Sequence, residues 1–126
     1  MQIIRPLFAL LLLGSASLVL ALEVTPYSAA ALALAQAADK PVALHFHADW
    51  CPTCRAQGKS LSTLSTERDL DITVLTVDYD KESDLKKRFR VNSQSTVVVL
   101  KGEQERGRVI GESSVDGLRQ VLKSGL

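Results

Sequence analysis

His45-Phe46-His47-Ala48-Asp49-Trp50-Cys51-Pro52-Thr53-Cys54 holds both cysteines of the chain, both histidines and its one tryptophan. An apolar run from Val42 to His47 enters this stretch and reads as a buried strand. A helix-compatible run leaves it from Cys51 to about Leu64, with Pro52 tolerated in the first turn. Cys51 therefore falls at the C-terminal end of a buried strand, where a helix begins. Two cysteines separated by two residues can close a small, strained, reversible disulfide, or supply half of a metal site.

The placement favours redox chemistry. At a helix N-terminus the unpaired N–H groups and aligned peptide dipoles favour an anion, and a thiolate is one. Cys51 is thus expected to ionise more readily than a free thiol and to be the exposed attacking nucleophile. Cys54 lies one turn later on the same side, positioned to resolve a mixed disulfide formed at Cys51. A purely stabilising disulfide is a poor reading, because such a bond gains most by closing a long loop and this one closes almost none.

Working outward, Tyr27 to Ala38 is a helix capped by Ser28 and ended at Asp39-Lys40-Pro41. Ile72 to Val77 is a second buried strand, and Asp80 to Phe89 a short charged helix with Leu85 and Phe89 inward. A polar loop from Val91 to Ser95 leads into the β-prone run Thr96 to Leu100. Lys101-Gly102-Glu103 turns the chain into a returning strand, Arg106 to Ile110, and Gly111 suggests a bulge or close approach. Ser113 or Ser114 caps a last helix with Val115, Leu118, Val121 and Leu122 on one face. The order α-β-α-β-α-β-β-α predicts an α/β fold, a three-layer sandwich with a mixed central sheet of about four strands. Its first two strands are expected to be parallel and the closing hairpin antiparallel.

The chain has 126 residues, 46% hydrophobic and 23% charged, with 15 basic against 14 acidic residues and a net charge of +1. That composition suits one globular domain and provides no basic field for nucleic acid. Residues 1–21 read as a cleaved signal peptide: Arg5 near the start, an uncharged leucine- and alanine-rich centre, and small residues ending at Ala21. The uncharged run is short of the about 20 residues a membrane span needs, so an uncleaved anchor is the lesser reading. The domain would then be 22–126, outside the cytosol, where disulfides form and persist.

Trp50-Cys51-Pro52-Thr53-Cys54 resembles the active-site motif of the thioredoxin family, and the strand before it resembles that family's strand entering the site. The similarity continues through Val77-Asp78 and the hairpin from Thr96 to Gly111, and Ala48-Asp49-Trp50-Cys51 is similar to periplasmic members that pass electrons outward. The resemblance implies a thioredoxin-like fold and a redox disulfide between Cys51 and Cys54. It also implies a substrate groove formed by Trp50, Pro52, Thr53, Gln94, Ser95 and Thr96. Two positions depart from it. Where the family carries a buried aspartate, this chain has His45, a candidate proton acceptor for Cys54. Where it carries a cis-proline facing the sulfurs, this chain has Ser95. A cis bond costs about 2.5–4 kcal/mol without proline, so a trans peptide is expected. The sulfurs are then expected to be less shielded.

These features predict an exported, monomeric thiol–disulfide oxidoreductase that reduces or exchanges disulfides in protein substrates, with reduction favoured over oxidation. It would need no cofactor and would draw electrons from a membrane thiol donor. Two alternatives use the same residues: a module binding a soft ion such as Cu(I) through the cysteines and His45 or His47, and a non-catalytic domain with Trp50 and the Ser95 loop as contact surface.

Overall fold

The computed structural model describes residues 14–15 and 21–126. The expected signal peptide, 1–21, therefore lies outside the described residues except at positions 14, 15 and 21. The elements are β1 (Glu23–Pro26), α1 (Ala29–Ala37), β2 (Pro41–His47), α2 (Pro52–Leu64), β3 (Thr73–Asp78), α3 (Ser83–Phe89), β4 (Thr96–Lys101), β5 (Gln104–Ile110) and α4 (Val115–Lys123).

The sheet has five strands in the order β1-β3-β2-β4-β5, where the sequence pattern predicts about four. The additional strand is β1, which pairs parallel with β3 from Glu23↔Thr73 to Pro26↔Thr76. It is four residues long, without an inward-facing alternation, and ends in proline. Its order comes from its neighbour, and an edge position tolerates the missing N–H of Pro26. The other strands follow the expected pattern. β2 runs parallel to β3 and antiparallel to β4, and β4 and β5 form a hairpin with a bulge at Val99/Leu100.

Alternation along the strands divides the core into two layers. Val42, Leu44, Phe46, Leu75, Val77, Val98 and Leu100 pack with Leu32 of α1 and Leu85 of α3. Ala43, Val74, Val97 and Val99 face the other way, onto Leu61 and Leu64 of α2 and Leu118, Val121 and Leu122 of α4. Burying each leucine fully contributes roughly 1.5–3 kcal/mol. His45 has the parity of Ala43, which places it on the α2 side.

Local signals set the ends. Ser28 Oγ accepts the Ala31 N–H at 3.0 Å, and Ser114 Oγ accepts that of Gly117 at 3.0 Å. The charged helix begins at Ser83, later than the expected Asp80, because the Asp78 carboxylate accepts the N–H groups of Asp80 and Lys81 and holds a turn there. Gly111 marks no bulge and no close approach: a Cβ there would meet nothing within 4 Å, and the glycine serves a φ of +76°.

Candidate active site

Central strand β2 delivers the chain to the site. Cys51 N–H donates to Ala48 O at 3.1 Å, turning the backbone, and Arg55 reaches back to Asp49 O at 2.9 Å. Cys51 is the N-cap of α2, in extended conformation, with Pro52 following. Its Sγ accepts the Cys54 N–H at 3.1 Å, so the sulfur takes the place of a capping oxygen. Both cysteines are free thiols. The expectation of an exposed Cys51 is corrected: it is 2% exposed, and Cys54 is fully buried. The two pack with Ala48 and Tyr79, and the Ser95 side chain lies against both sulfurs.

Ser95 accounts for that burial. No peptide bond among the described residues is cis, as expected for serine at this position, and Ser95 instead adopts φ +63°. Side chains other than glycine rarely hold this conformation unless their surroundings over-determine it. Here the Ser95 N–H donates to Phe46 O at 2.9 Å, while its carbonyl accepts from Gly111 N–H and from Gln57 Nε2, both at 2.9 Å. Proline, with φ fixed near about −65° and no N–H, fits neither requirement. The side chain that results points inward, with Oγ 3.2 Å from Cys51 Sγ and 3.1 Å from Cys54 Sγ. Loss of the proline ring therefore does not leave the sulfurs less shielded, because a hydroxyl covers them.

The environment separates the two thiols. Burial pushes Cys51 up, but hydrogen bonds from the Cys54 thiol, the Ser95 hydroxyl and the Cys54 and Thr53 amides outweigh it, and the net direction is down. Burial pushes Cys54 up, the hydrogen bond to the Cys51 sulfur adds to this, and the Ala48 backbone hydrogen bond does not reverse it. One thiol is held ready to ionise and the deeper one is held protonated.

Gln57 is a site residue that the sequence reading misses. It lies on the buried stripe Cys54, Gln57, Leu61, Leu64 of α2, and its only sequence signal is a polar residue where the periodicity calls for an apolar one. Its Nε2 donates to Ser95 O and Glu112 O, each at 2.9 Å, and its Oε1 meets His45 Nε2 at 2.9 Å. His45 is buried and bonded to Gln57, with its link to the sulfurs running through Gln57 and Ser95. Burial pushes His45 down to about 4, with the Gln57 bond opposing and nearby His47 assisting. His47 is 20% exposed at its side chain, bonds Asp49 through Nε2 at 2.9 Å and leaves Nδ1 buried without a partner.

The remaining expected groove residues spread over a range of depths. Trp50 is 59% exposed and Pro52 is exposed, Thr53 and Gln94 are half-buried, and Thr96 is buried with Oγ1 donating to Ser93 O at 2.8 Å. Trp50 Nε1–H donates to Asp80 Oδ2 at 2.8 Å, a partner without a sequence signal. These two flank a cleft of about 390 Å³ that also takes in His47, Asp49 and Asp78. Among the described residues no group of three or more His, Cys, Asp or Glu side chains is arranged to hold a metal ion. The two histidines bond Gln57 and Asp49 respectively.

A thiol disposed to ionise at a helix N-cap, a second thiol one turn deeper and a mixed sheet between helical layers define a thiol–disulfide exchange protein. The chain belongs to the thioredoxin family: the family's sequence profile, described as Thioredoxin, matches residues 24–124. Members of the family are thiol–disulfide oxidoreductases, and this chain carries the C-x-x-C pair. It is similar to a thioredoxin of Mycobacterium tuberculosis, 33% identical over 84 residues that cover 67% of this chain and 72% of that one. A crystal structure of Trxlp from Edwardsiella tarda is 37% identical, covers 79% of this chain and 98% of that chain, and has a TM-score of 0.74. Thioredoxin NaTrxh from Nicotiana alata is 25% identical, with coverage of 88% and 98% and a TM-score of 0.68.

Proposed function

We propose that this chain reduces disulfides of exported proteins, with Cys51 as nucleophile and Cys54 as resolving thiol. The observation that carries this reading is the division of labour at the sulfurs. Cys51 Sγ accepts the Cys54 N–H at the start of α2, and Cys54 is buried beneath it. Cys51 thiolate attacks a substrate disulfide, one substrate thiol leaves, and Cys54 then displaces the second by closing the Cys51–Cys54 disulfide. Trp50, Pro52, Thr53, Gln94 and the Ser95 loop would receive the substrate chain. We assign His45 a positioning role ahead of the proton-accepting role its sequence position suggests, since its side chain bonds Gln57 and its link to the sulfurs runs through Gln57 and Ser95.

Export rests on the composition of residues 1–21, and it is consistent with a domain whose first core residue among those described is Leu22. A protein reducing disulfides outside the cytosol needs its own electrons returned, for which a membrane thiol donor is the partner class.

Insulin reduction tests the proposal. The parent protein precipitates the insulin B chain in the presence of a thiol reductant, Cys51→Ser does not, and Cys54→Ser accumulates mixed disulfides. Undiminished activity in Cys51→Ser overturns the reading, and an inactive parent points instead to the binding domain. Equilibration with glutathione fixes the direction: a potential near about −270 mV marks a reductant and one near about −120 mV an oxidant.

A further inference from the structure

We propose that the Ser95 hydroxyl is a catalytic residue of this exchange, passing a proton from Cys54 to the departing substrate thiolate as the mixed disulfide resolves. The inference rests on the reaction proposed above and assigns it a proton path.

The need for such a path follows from burial. Cys54 is held as a thiol, fully buried, and must lose its proton to attack. His45 bonds Gln57 rather than either sulfur, and its link to them runs through Gln57 and Ser95. Ser95 Oγ, 3.1 Å from Cys54 Sγ and 3.2 Å from Cys51 Sγ, is the side-chain oxygen in contact with both sulfurs. A hydroxyl has one hydrogen to give and lone pairs to receive another, so it can donate toward one sulfur while accepting from the other. The backbone that aims it is not one serine adopts by default. Its φ of +63° is fixed by hydrogen bonds to Phe46, Gln57 and Gly111, from three separate parts of the fold. Strain held in this way at a reacting centre is an observed outlier that calls for a function.

The step balances. After Cys51 has attacked, the site holds Cys51–S–S–R and the Cys54 thiol. Cys54 Sγ attacks Cys51 Sγ, the Cys51–Cys54 bond forms and the bond to the substrate sulfur breaks. The Cys54 proton moves to Ser95 Oγ as the hydroxyl's own hydrogen moves to the leaving sulfur, which until then is bonded to Cys51 Sγ, 3.2 Å from Oγ. The products are the protein disulfide, a substrate thiol and an unchanged serine. The cysteine pair is oxidised by two electrons and the substrate is reduced by two.

Ser95→Gly tests the relay, because glycine accepts φ +63° and keeps the N–H and C=O that anchor the loop. Reduced protein is mixed with oxidised glutathione, and separately with the aryl disulfide 5,5′-dithiobis(2-nitrobenzoate), and the two phases of thiol release are followed. Resolution of the glutathione mixed disulfide is expected to slow by about a hundredfold. Resolution with the acidic aryl thiol, which leaves without a proton, is expected to slow far less. An unchanged glutathione rate, or equal slowing with both leaving groups, overturns the relay and leaves the proposed reduction standing. In the parent, resolution is expected to slow in heavy water, and no isotope effect likewise overturns the relay without recourse to a variant. A parent that forms no mixed disulfide overturns both readings.

Discussion

Gln57 decides which nitrogen of His45 carries the hydrogen. Two carbonyl oxygens, those of Ser95 and Glu112, lie 2.9 Å from the Gln57 terminal nitrogen, so that atom is the amide NH2. The Gln57 oxygen is left for His45 Nε2, also at 2.9 Å, and an amide oxygen only accepts. His45 is therefore the neutral tautomer with its hydrogen on Nε2. Removing one member of this buried pair strands the other. Gln57→Leu is expected to cost about 2–4 kcal/mol, and His45→Leu about 1–3 kcal/mol. The double variant should be less destabilised than the sum of the two, because both partners then become apolar. Urea unfolding of the four proteins measures the coupling, and strict additivity would refute it.

Acid should expose the same histidine. Below pH 6.5 the unfolded chain protonates His45, while the folded chain resists until about 4. The unfolded state thus binds more protons in that window, and stability falls as pH drops through it, by about 3 kcal/mol in total. Glu67 and Glu112, both lowered from 4.5 by hydrogen bonds from Arg119 and Ser114 respectively, add their losses only near and below that value. Unfolding free energies of the parent and His45→Leu between pH 7 and 4.5 should diverge, with the variant's profile the flatter. Parallel profiles would show that His45 is freely protonated in the folded state.

Alkylation separates the sulfurs. The iodoacetamide rate at Cys51 should rise with pH through a midpoint below the ordinary thiol value of 9.0, and that at Cys54 through one above it. Ser95→Gly removes one of the hydrogen bonds that hold Cys51 down, so its Cys51 midpoint should move upward. Mass mapping of the alkylated peptides across pH reads both. A Cys54 midpoint below that of Cys51 would reverse the proposed order of attack.

Trp50 offers an optical handle, being the one tryptophan of the chain. Its ring is largely exposed and tethered by Asp80 Oδ2. Asp80→Ala should leave stability within about 1 kcal/mol, as expected for an exposed contact, yet lower the tryptophan fluorescence anisotropy. Unchanged anisotropy would mean that packing, not the carboxylate, fixes the indole.

What could be read from the sequence was what lies close together along it. The strand into Cys51, the helix after it and the cap Ser28 are each set by a few adjacent residues and are legible, while the last cap narrows from Ser113 or Ser114 to Ser114 only in the structure. β1 was not, because Glu23 to Pro26 carries no pattern of its own and is ordered by pairing with β3. Gln57 looked like an ordinary polar residue of a helix, since its three partners are 12, 38 and 55 positions away. The burial of Cys51 escaped for the same reason: the hydroxyl that covers it comes from 44 residues downstream.

The three anchors of Ser95 have a consequence for how the protein becomes active. Phe46, Gln57 and Gly111 belong to the central strand, to the helix after it and to the exit of the last strand. A chain emerging in order carries its C-x-x-C pair before Gly111 has been added. Contacts of such long sequence separation form late, because the loop between them must first be closed. Until then two reactive thiols stand unguarded, without the hydroxyl between them. The site as described is thus complete only with the β4–β5 hairpin in place, since that hairpin brings Gly111 to Ser95.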